Sequence, residues 1–291
     1  HQNKMWVIGG MRTESLNDVW YSEDGETWRE AARSAAFAKR TEHSSVVFHN
    51  KMWVICGTAD MSKPPFKDVW FSTDGAAWTL ATDSLPFHGR MAHSSVVYDN
   101  KIWVIGGYNN NYFNDVWYSE DGINWFQATP QAAFSPRAHH TSVVCDGKMW
   151  IIGGFNSNEN SEYYNDVWYS DDGVSWTMST PQTPFNPRYD HSSVVFDDKI
   201  WVIAGQGQNV YDIWFSGMGP KGAVSSQSLE FGKQDIDAGP KGPTTATLFN
   251  LFPDGWEPLK ILSVGICHDV TGAFSFSSEP EVYSRCNRAG K

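Results

Sequence analysis

Cysteine is scarce in this chain of 291 residues, and the four that occur exclude two common roles. Cys56, Cys145, Cys267 and Cys286 form no Cys-x-x-Cys pair and match no spacing typical of metal ligands. The sequence therefore predicts neither a zinc module nor a thiol redox motif, and we expect no bound metal and no cofactor. Pairing of Cys267 with Cys286 stays open, and with it the redox compartment.

Long apolar runs are absent as well. No segment approaches 18 consecutive apolar residues, so we expect no membrane insertion. The residues after His1 contain no charged-then-apolar leader, and we expect any signal peptide to be absent or already removed. With 15% aromatic residues, 15 of them tryptophan, the composition is that of a chain with a large core and not of a disordered one.

Positive charge is also in short supply. The chain holds 22 Lys and Arg against 33 Asp and Glu, a net charge of −11. Residues 1–217 hold 15 against 25, a balance of −10, and residues 218–291 hold 7 against 8, a balance of −1. An acidic chain without a basic stripe argues against nucleic acids and anionic membranes as partners.

The chain is rich, instead, in repetition. The phrase Lys101-Ile-Trp-Val-Ile-Gly-Gly107 indicates a short buried strand that ends in a crowded bend. Close variants of it start at Lys4, Lys51, Lys148 and Lys199. Their tryptophans lie 47, 50, 47 and 51 residues apart, at Trp6, Trp53, Trp103, Trp150 and Trp201. A period near 50 is typical of repeat architectures.

Each repeat predicts four strands. In the unit that starts at His93, β-rich runs are separated by Asp99-Asn100 and Asp121-Gly122, residues that tolerate the backbone of tight hairpins. No segment has helical periodicity, so we predict an all-β fold with five evident four-stranded antiparallel units. Cys56 falls in a bend and Cys145 in a strand, so both are predicted to be buried thiols.

These residues carry a resemblance to a known family. A glycine pair after four apolar positions, followed by an aromatic pair seven residues apart such as Tyr118 and Trp125, resembles the kelch repeat. The resemblance covers about residues 4–217 and implies a β-propeller like the central domain of galactose oxidase. The turn Ser22–Trp28 is also similar to the Asp-box of sialidase-like propellers, but it is one residue short, and we interpret it as a structural hairpin.

The repeats depart from the kelch pattern in number. Kelch propellers usually have six or seven blades, whereas this chain shows five, and only four carry the first-strand phrase His-(Ser/Thr)-Ser-Val-Val. Either the C-terminal segment supplies a strand that closes a five-bladed ring, which we expect, or residues before His1 held further blades.

The composition changes after Gly217, where a Gly- and Pro-rich stretch reads as a linker. We predict a kelch β-propeller over residues 1–217, followed by the linker and a partial immunoglobulin-like β module over residues 218–291. The second assignment rests on a resemblance of Leu229–Gly232, Thr245–Asn250 and Leu259–Leu262 to immunoglobulin-like modules of bacterial surface and ciliary proteins.

Strand parity predicts where a ligand would lie. The loops after each second strand and the connections between blades share one face, at the mouth of the channel, where propellers place ligands. The loops on this face are rich in Asn, Tyr and Phe, which suits polyol or peptide recognition, and Tyr112 and Tyr164 are their candidate rings. The alternative is that these residues only make turns and seal blade edges.

The connections between blades carry a repeated Phe-x-x-Arg-x-x-His motif. Its four arginines could bind a carboxylate at the channel mouth or serve a structural role that every blade needs; they are Arg40, Arg90, Arg137 and Arg188. The residue before each repeated histidine varies, from Glu42 and Ala92 to His139 and Asp190. We predict that these four line the channel mouth, where the three ionisable ones could together do acid–base work.

These patterns favour a non-catalytic binding propeller of a secreted or surface bacterial protein, acting as a monomer. It would hold a glycan or a protein ligand at the loop-rich face. The alternative is an enzyme of the sialic acid mutarotase type, which the kelch resemblance allows because it needs only arginine and acid–base groups around a sugar. A copper radical oxidase is disfavoured because it requires a Cys–Tyr crosslink, and Cys56 and Cys145 lie inside the blades.

Overall fold

The computed structural model describes residues 1–158, 162–180, 183–208, 210 and 212–217, together with the backbone of 230–234. The described residues form strands and no helix, so this part of the chain offers no helix that could cross a membrane. The strands assemble into five antiparallel sheets, in which successive strands pair in chain order, plus one short two-stranded ribbon. The predicted all-β meander is therefore confirmed.

Each sheet is one blade, numbered in chain order. Blade 1 has the strands β1 (Met5–Met11), β2 (Ser15–Ser22) and β3 (Trp28–Ala32). Blade 2 has β4 (Ser44–Phe48), β5 (Lys51–Ile55), β6 (Val69–Ser72) and β7 (Thr79–Thr82). Blade 3 has β8 (Ser94–Tyr98), β9 (Lys101–Asn109), β10 (Asn111–Ser119) and β11 (Phe126–Thr129).

The later blades follow the same plan. Blade 4 has β12 (Thr141–Cys145), β13 (Lys148–Asn156), β14 (Glu162–Ser170) and β15 (Thr177–Thr180). Blade 5 has β17 (Ser192–Phe196), β18 (Lys199–Ile203), β20 (Ile213–Gly217) and β21 (Glu230–Gln234). The ribbon joins β16 (Arg188–Tyr189) to β19 (Gln206–Gly207). The first strands of blades 2 to 5 lie side by side, as in a propeller whose blades surround a channel.

The fourth strand of blade 5 comes from beyond the linker. Glu230–Gln234 pairs with β20, and the compact unit runs from His1 to Lys233, past the boundary at 217 that the sequence suggested. The C-terminal segment thus supplies a propeller strand, as predicted by the alternative in which this segment completes the fifth blade. The remainder of the predicted immunoglobulin-like module and the Cys267–Cys286 pairing lie outside the described residues, whereas Glu230–Gln234, which the sequence assigned to that module, is a propeller strand.

The repeated tryptophans bind neighbouring blades together. The indole of Trp53 in blade 2 lies over Gly122 of blade 3, and that of Trp103 in blade 3 lies over Gly173 of blade 4. Trp103 is 3% exposed, and its Nε1 donates a hydrogen bond of 2.9 Å to the carbonyl oxygen of Tyr98. The core therefore consists of a series of blade-to-blade interfaces instead of one central cluster.

The Asp-Gly turn that receives each indole is fixed by its own side chains. In blade 4, the N–H of Gly173 donates to Oγ of Ser170 at 2.8 Å, and Oδ1 of Asp172 accepts from the N–H groups of Val174 and Ser175. These bonds are all internal to the hairpin. The turn thus has a structural role: it holds a glycine, which has no β-carbon, against the indole of the neighbouring tryptophan.

Both described cysteines are free and buried, as the sequence predicts. Cys56 takes the place of the first bend glycine with a φ of 53°, and burial raises the pKa of its thiol to about 11. Burial also raises the pKa of the Cys145 thiol. These thiols therefore stay protonated and serve as core residues.

Candidate functional site

The predicted face exists because the blade connections pair with the loops that follow the glycine bends. Ala138, just before His139, forms a β-bridge with Phe155, and Met91 forms the equivalent bridge with Tyr108. The ribbon of Tyr189 and Gln206 repeats this arrangement at blade 5. The connections and the long loops consequently meet on one face, at the entrance to the channel.

The four variable residues form a backbone chain around this entrance. Glu42, Ala92, His139 and Asp190 all adopt left-handed backbone angles, with φ between 51° and 56°. The N–H of Ala92 donates to the carbonyl of Glu42 at 2.9 Å, that of His139 to Ala92 at 2.8 Å, and that of Asp190 to His139 at 3.1 Å. Each hydrogen bond offsets part of the cost of a left-handed residue, about 1–2 kcal/mol.

This chain of backbone hydrogen bonds brings three ionisable side chains together: Glu42, His139 and Asp190. We name these three residues the mouth cluster. Nδ1 of His139 lies 2.6 Å from Oδ1 of Asp190 and 3.7 Å from Oε2 of Glu42. One ligand atom from each side chain fits within 4.8 Å of the others. Glu42 and His139 belong to non-adjacent blades, and they meet because only the methyl group of Ala92 lies between them in the chain of hydrogen bonds.

The electrostatics of the mouth cluster favour a proton shared between its members. Burial raises the pKa of Glu42, and the charge of Asp190 raises it further, although His139 opposes this. Burial would lower the pKa of His139, but the hydrogen bond and the charge of Asp190, together with Glu42, raise it overall. Together, the two carboxylates and the imidazole can accept hydrogen bonds, exchange a proton, or neutralise a cation.

A group of aromatic rings borders the mouth cluster: Phe155, Tyr163 and Tyr189. We name these three rings the aromatic platform. The planes of Tyr163 and Tyr189 are 6° apart with ring centres at 5.3 Å, and Phe155 stacks within 5.3 Å of both. Tyr163 is 44% exposed. Tyr189 also meets the imidazole of His139 edge-on at 5.9 Å, so the platform and the cluster form one continuous surface.

Gln206 holds the platform and the cluster in register. Its Oε1 accepts a hydrogen bond of 2.9 Å from the hydroxyl of Tyr189, and its Nε2 donates to Oδ2 of Asp190 at 3.2 Å. One amide therefore fixes a platform ring and a cluster carboxylate at the same time. Their relative positions are set before any ligand arrives.

Of the two tyrosines that the sequence nominated, one adjoins this surface. Tyr112 lies edge-on to Phe155 at 5.9 Å, and its hydroxyl lies 3.0 Å from Oγ of Ser157. The ring of Tyr164 instead lies 4.2 Å below the guanidinium of Arg137. Since Phe66 and Phe113 occupy the same place under Arg40 and Arg90, this is a repeated packing position, and we leave Tyr164 out of the site.

The four arginines of the repeated motif lie inside the blades. The side chain of Arg137 has no exposed surface, and it binds Asp166 through two hydrogen bonds of 2.6 and 2.8 Å and the carbonyl of Gly153 at 2.9 Å. The other three are equally buried, each against an aspartate of its own repeat: Arg40 with Asp68, Arg90 with Asp115 and Arg188 with Asp212. A carboxylate ligand cannot reach these groups, so the arginine ring is removed from the candidate site.

The repeated histidines also join blades. Nε2 of His140 lies 2.8 Å from Oγ of Ser94 in the preceding blade, and Nε2 of His93 lies 2.7 Å from Oγ of Ser44. Burial lowers the pKa of both imidazoles, which keeps them neutral. Their role is structural, in contrast to that of the adjacent His139.

The loops that the sequence places on this face include Tyr163 and Gln206, although neither was nominated as a site residue, whereas Phe155 and Tyr189 lie outside the predicted loops. These last two had a detectable signal, because Phe155 follows a glycine pair and Tyr189 precedes a variable position. The pairing of Phe155 with Tyr163 across β13 and β14 depends on the strand register, which includes a bulge and is not readable from the repeat alone.

The fold and the repeated motif define a β-propeller built of kelch repeats. A family model described as the KLHDC2/KLHL20/DRC7 Kelch-repeats domain matches residues 43–217, more than half of the chain, and the protein therefore belongs to this kelch-repeat family. Among solved structures, that of YjhT is similar, with 15% identity, a TM-score of 0.62, and coverage of 80% of this chain and 81% of that chain. At this identity the likeness concerns the fold alone. No curated protein matches the chain.

Proposed function

We propose that this propeller is a binding module that holds a glycan or a peptide at the mouth of its channel, without chemical turnover. The observation that carries the proposal is the contact between the aromatic platform and the mouth cluster, through Tyr189 and His139. A flat apolar surface beside hydrogen-bonding groups is the usual composition of a recognition site.

The two parts of the surface have different roles. The rings offer a face of near-parallel aromatics against which the apolar face of a sugar or the side chain of a peptide can stack. The mouth cluster offers partly exposed acceptors, at 24–36% of side-chain surface, for hydroxyl or N–H donors of the ligand. Stacking supplies affinity, and the acceptors orient the ligand.

The proposal is tested by a screen of glycans and peptides, followed by calorimetry on the ligand found. Tyr163→Ala should weaken binding by about 1–3 kcal/mol, the range of hot-spot truncations, without lowering the melting temperature. Phe126→Ala is the matched control, because that ring is 53% exposed and follows the Asp121-Gly122 turn of the other face. Equal losses of affinity in both variants would contradict the assignment.

A second candidate is a sugar-modifying enzyme of the mutarotase type. The observation that favours it is the 2.6 Å contact between His139 and Asp190, which places an acid and a base beside one ligand position. Proton transfer by positioned groups contributes about 10²–10⁴-fold to a rate. NMR of anomer exchange decides between the candidates, since acceleration that His139→Ala abolishes would replace the non-catalytic proposal.

The proposed setting is the surface or exterior of a bacterial cell, with the protein as a monomer. This part rests only on the resemblance of residues 218–291 to surface modules. Fractionation of the producing cells and light scattering of the purified protein would test it: a cytoplasmic or oligomeric protein would overturn it.

A further inference from the structure

We infer that the ligand of this site presents a positively charged nitrogen, an ammonium or a guanidinium, to Glu42 and Asp190. This inference rests on the proposed function, and it narrows the ligand class at the same surface. The same site should bind poorly any ligand that presents a carboxylate to Glu42 and Asp190.

The first argument is the balance of charge at the mouth. Two carboxylates lie within reach of one imidazole, so when Glu42 and Asp190 are both ionised the mouth cluster is negative whether or not His139 carries a proton. The cationic residues nearest in sequence to the mouth-cluster positions are the four arginines of the repeated motif. Each of these arginines is enclosed and bound to an aspartate of its own repeat. An anionic surface attracts cationic groups and repels carboxylates.

The second argument is that Glu42 lacks a donor. Its Oε2 lies 3.7 Å from Nδ1 of His139, beyond hydrogen-bond distance. Within the described residues no side chain or backbone group donates a hydrogen bond to this carboxylate, whereas both oxygens of Asp190 accept one, from His139 and Gln206. A half-buried carboxylate without a donor is costly, and an ammonium of the ligand would supply what is missing.

The third argument, independent of the carboxylates, is the aromatic platform. Ring faces are negative and attract cations within about 6 Å of the ring centre. Tyr163 is 44% exposed, and Tyr189 links it to the mouth cluster. Carboxylates on one side and ring faces on the other therefore select the same ligand group, whose apolar carbons can lie on the platform.

The test uses two matched pairs of small probes in the presence of EDTA: glucosamine with N-acetylglucosamine, and Nα-acetyl-lysine methylamide with its Nε-acetylated form. In at least one pair, the charged member should bind at least tenfold more tightly than its acetylated partner. The pair that binds distinguishes an amino sugar from a lysine side chain. Titration by calorimetry or NMR at constant ionic strength measures the difference.

Variants locate the effect. Glu42→Gln and Asp190→Asn should each weaken binding of the charged probe about tenfold, and should weaken binding of the acetylated probe by much less. Ala92→Lys should abolish binding of the charged probe, because the protein then supplies its own ammonium between Glu42 and His139. Glu120→Gln, which removes an exposed carboxylate beside Lys101, is the control and should have no effect.

Each of five results would overturn the inference. Equal binding of charged and acetylated probes would show that the site does not select for a positive charge. Tighter binding of N-acetylneuraminic acid than of the charged probes would show that the site prefers a negative charge. Binding of a charged probe that is observed without EDTA and lost when EDTA is present would assign the mouth cluster to a metal ion. A neutral or acidic ligand whose affinity depends on Tyr163 would refute this inference while preserving the proposed function, whereas failure of every probe and of the screen would refute both.

Discussion

The indole of Trp103 lies directly on the α-carbon of Gly173 in the neighbouring blade. A β-carbon added to Gly173 would lie 2.1 Å from Cζ3 of this indole. The pairing recurs between Trp53 and Gly122, which explains why the Lys-x-Trp strand and the Asp-Gly turn repeat together. The contact joins consecutive blades through residues that are distant in sequence, and it thereby helps to build the scaffold on which the mouth residues converge.

Gly173→Ala should destabilise the protein more than an alanine at an equivalent backbone angle elsewhere. Gly147 is the control, because it has a φ of +65° against +73° for Gly173 but nothing within 4 Å of an added β-carbon. Both variants bear the left-handed backbone cost of about 1–2 kcal/mol. Gly173→Ala adds an overpacking cost of about 1–3 kcal/mol. Equal free energies of unfolding in urea would contradict the interface.

Trp103→Ala should reduce the free energy of unfolding by about 3–5 kcal/mol, since it removes a large side chain from a blade interface. Trp28→Ala offers a comparison, because Trp28 is 39% exposed and packs at the edge of blade 1. If Trp103→Ala melts within a degree or two of the wild type, the repeated tryptophans do not hold the blades together.

Acid should unfold the protein through its buried histidines. Burial lowers the pKa of His93 and His191 to about 3 and that of His43 to about 4, so the folded state excludes their protonated forms. Their stabilisation is complete above the usual pKa near 6.5 and is lost as the pH falls through that value toward 3. His93→Gln should therefore flatten the fall in unfolding free energy between pH 6.5 and 5 by up to about 1 kcal/mol per pH unit.

The exposed His88 provides the control for this pH series. His88→Gln is measured in parallel, so that the effect of removing a buried histidine is separated from that of removing an exposed one. A wild-type protein whose stability does not fall over this interval would show that the blade histidines are solvated, in conflict with their contacts to Ser44 and Ser94.

Arg137→Met should destabilise the fold and spare the affinity of the folded molecules. It leaves Asp166 in a largely enclosed site without its cationic partner, although the Nε1–H of Trp168 still donates to it, and this costs about 3–5 kcal/mol. Replacing Asp166 by leucine as well should restore much of this stability, because no uncompensated charge remains. Loss of binding in a variant that stays folded would instead return this arginine to the ligand site.

The fold was predictable because every blade repeats the same strands and turns. The convergence of Glu42, His139 and Asp190 was predictable too, since parity alone places equivalent positions at one end of the channel. The burial of the arginines also had a signal: each arginine recurs with an aspartate of its own repeat, as Arg90 does with Asp115.

Other features depend on geometry that no repeat encodes. The aromatic platform combines residues from non-equivalent positions, and its stacking follows from a bulged register in blade 4. The outer strand Glu230–Gln234 lacks the tryptophan phrase of the other blades and joins blade 5 across a long connection. The sequence pattern alone therefore places it in the module that follows the propeller.

The proposed ligand occupies the mouth of the channel, on the mouth cluster and the aromatic platform. The most direct measurement is an NMR titration that follows the imidazole signals of the histidines as the ligand from the screen is added. We predict that the signals of His139 shift with occupancy while those of the buried His93 do not. Shifts confined to the face of the Asp-Gly turns, with His139 unchanged at saturation, would contradict the claim.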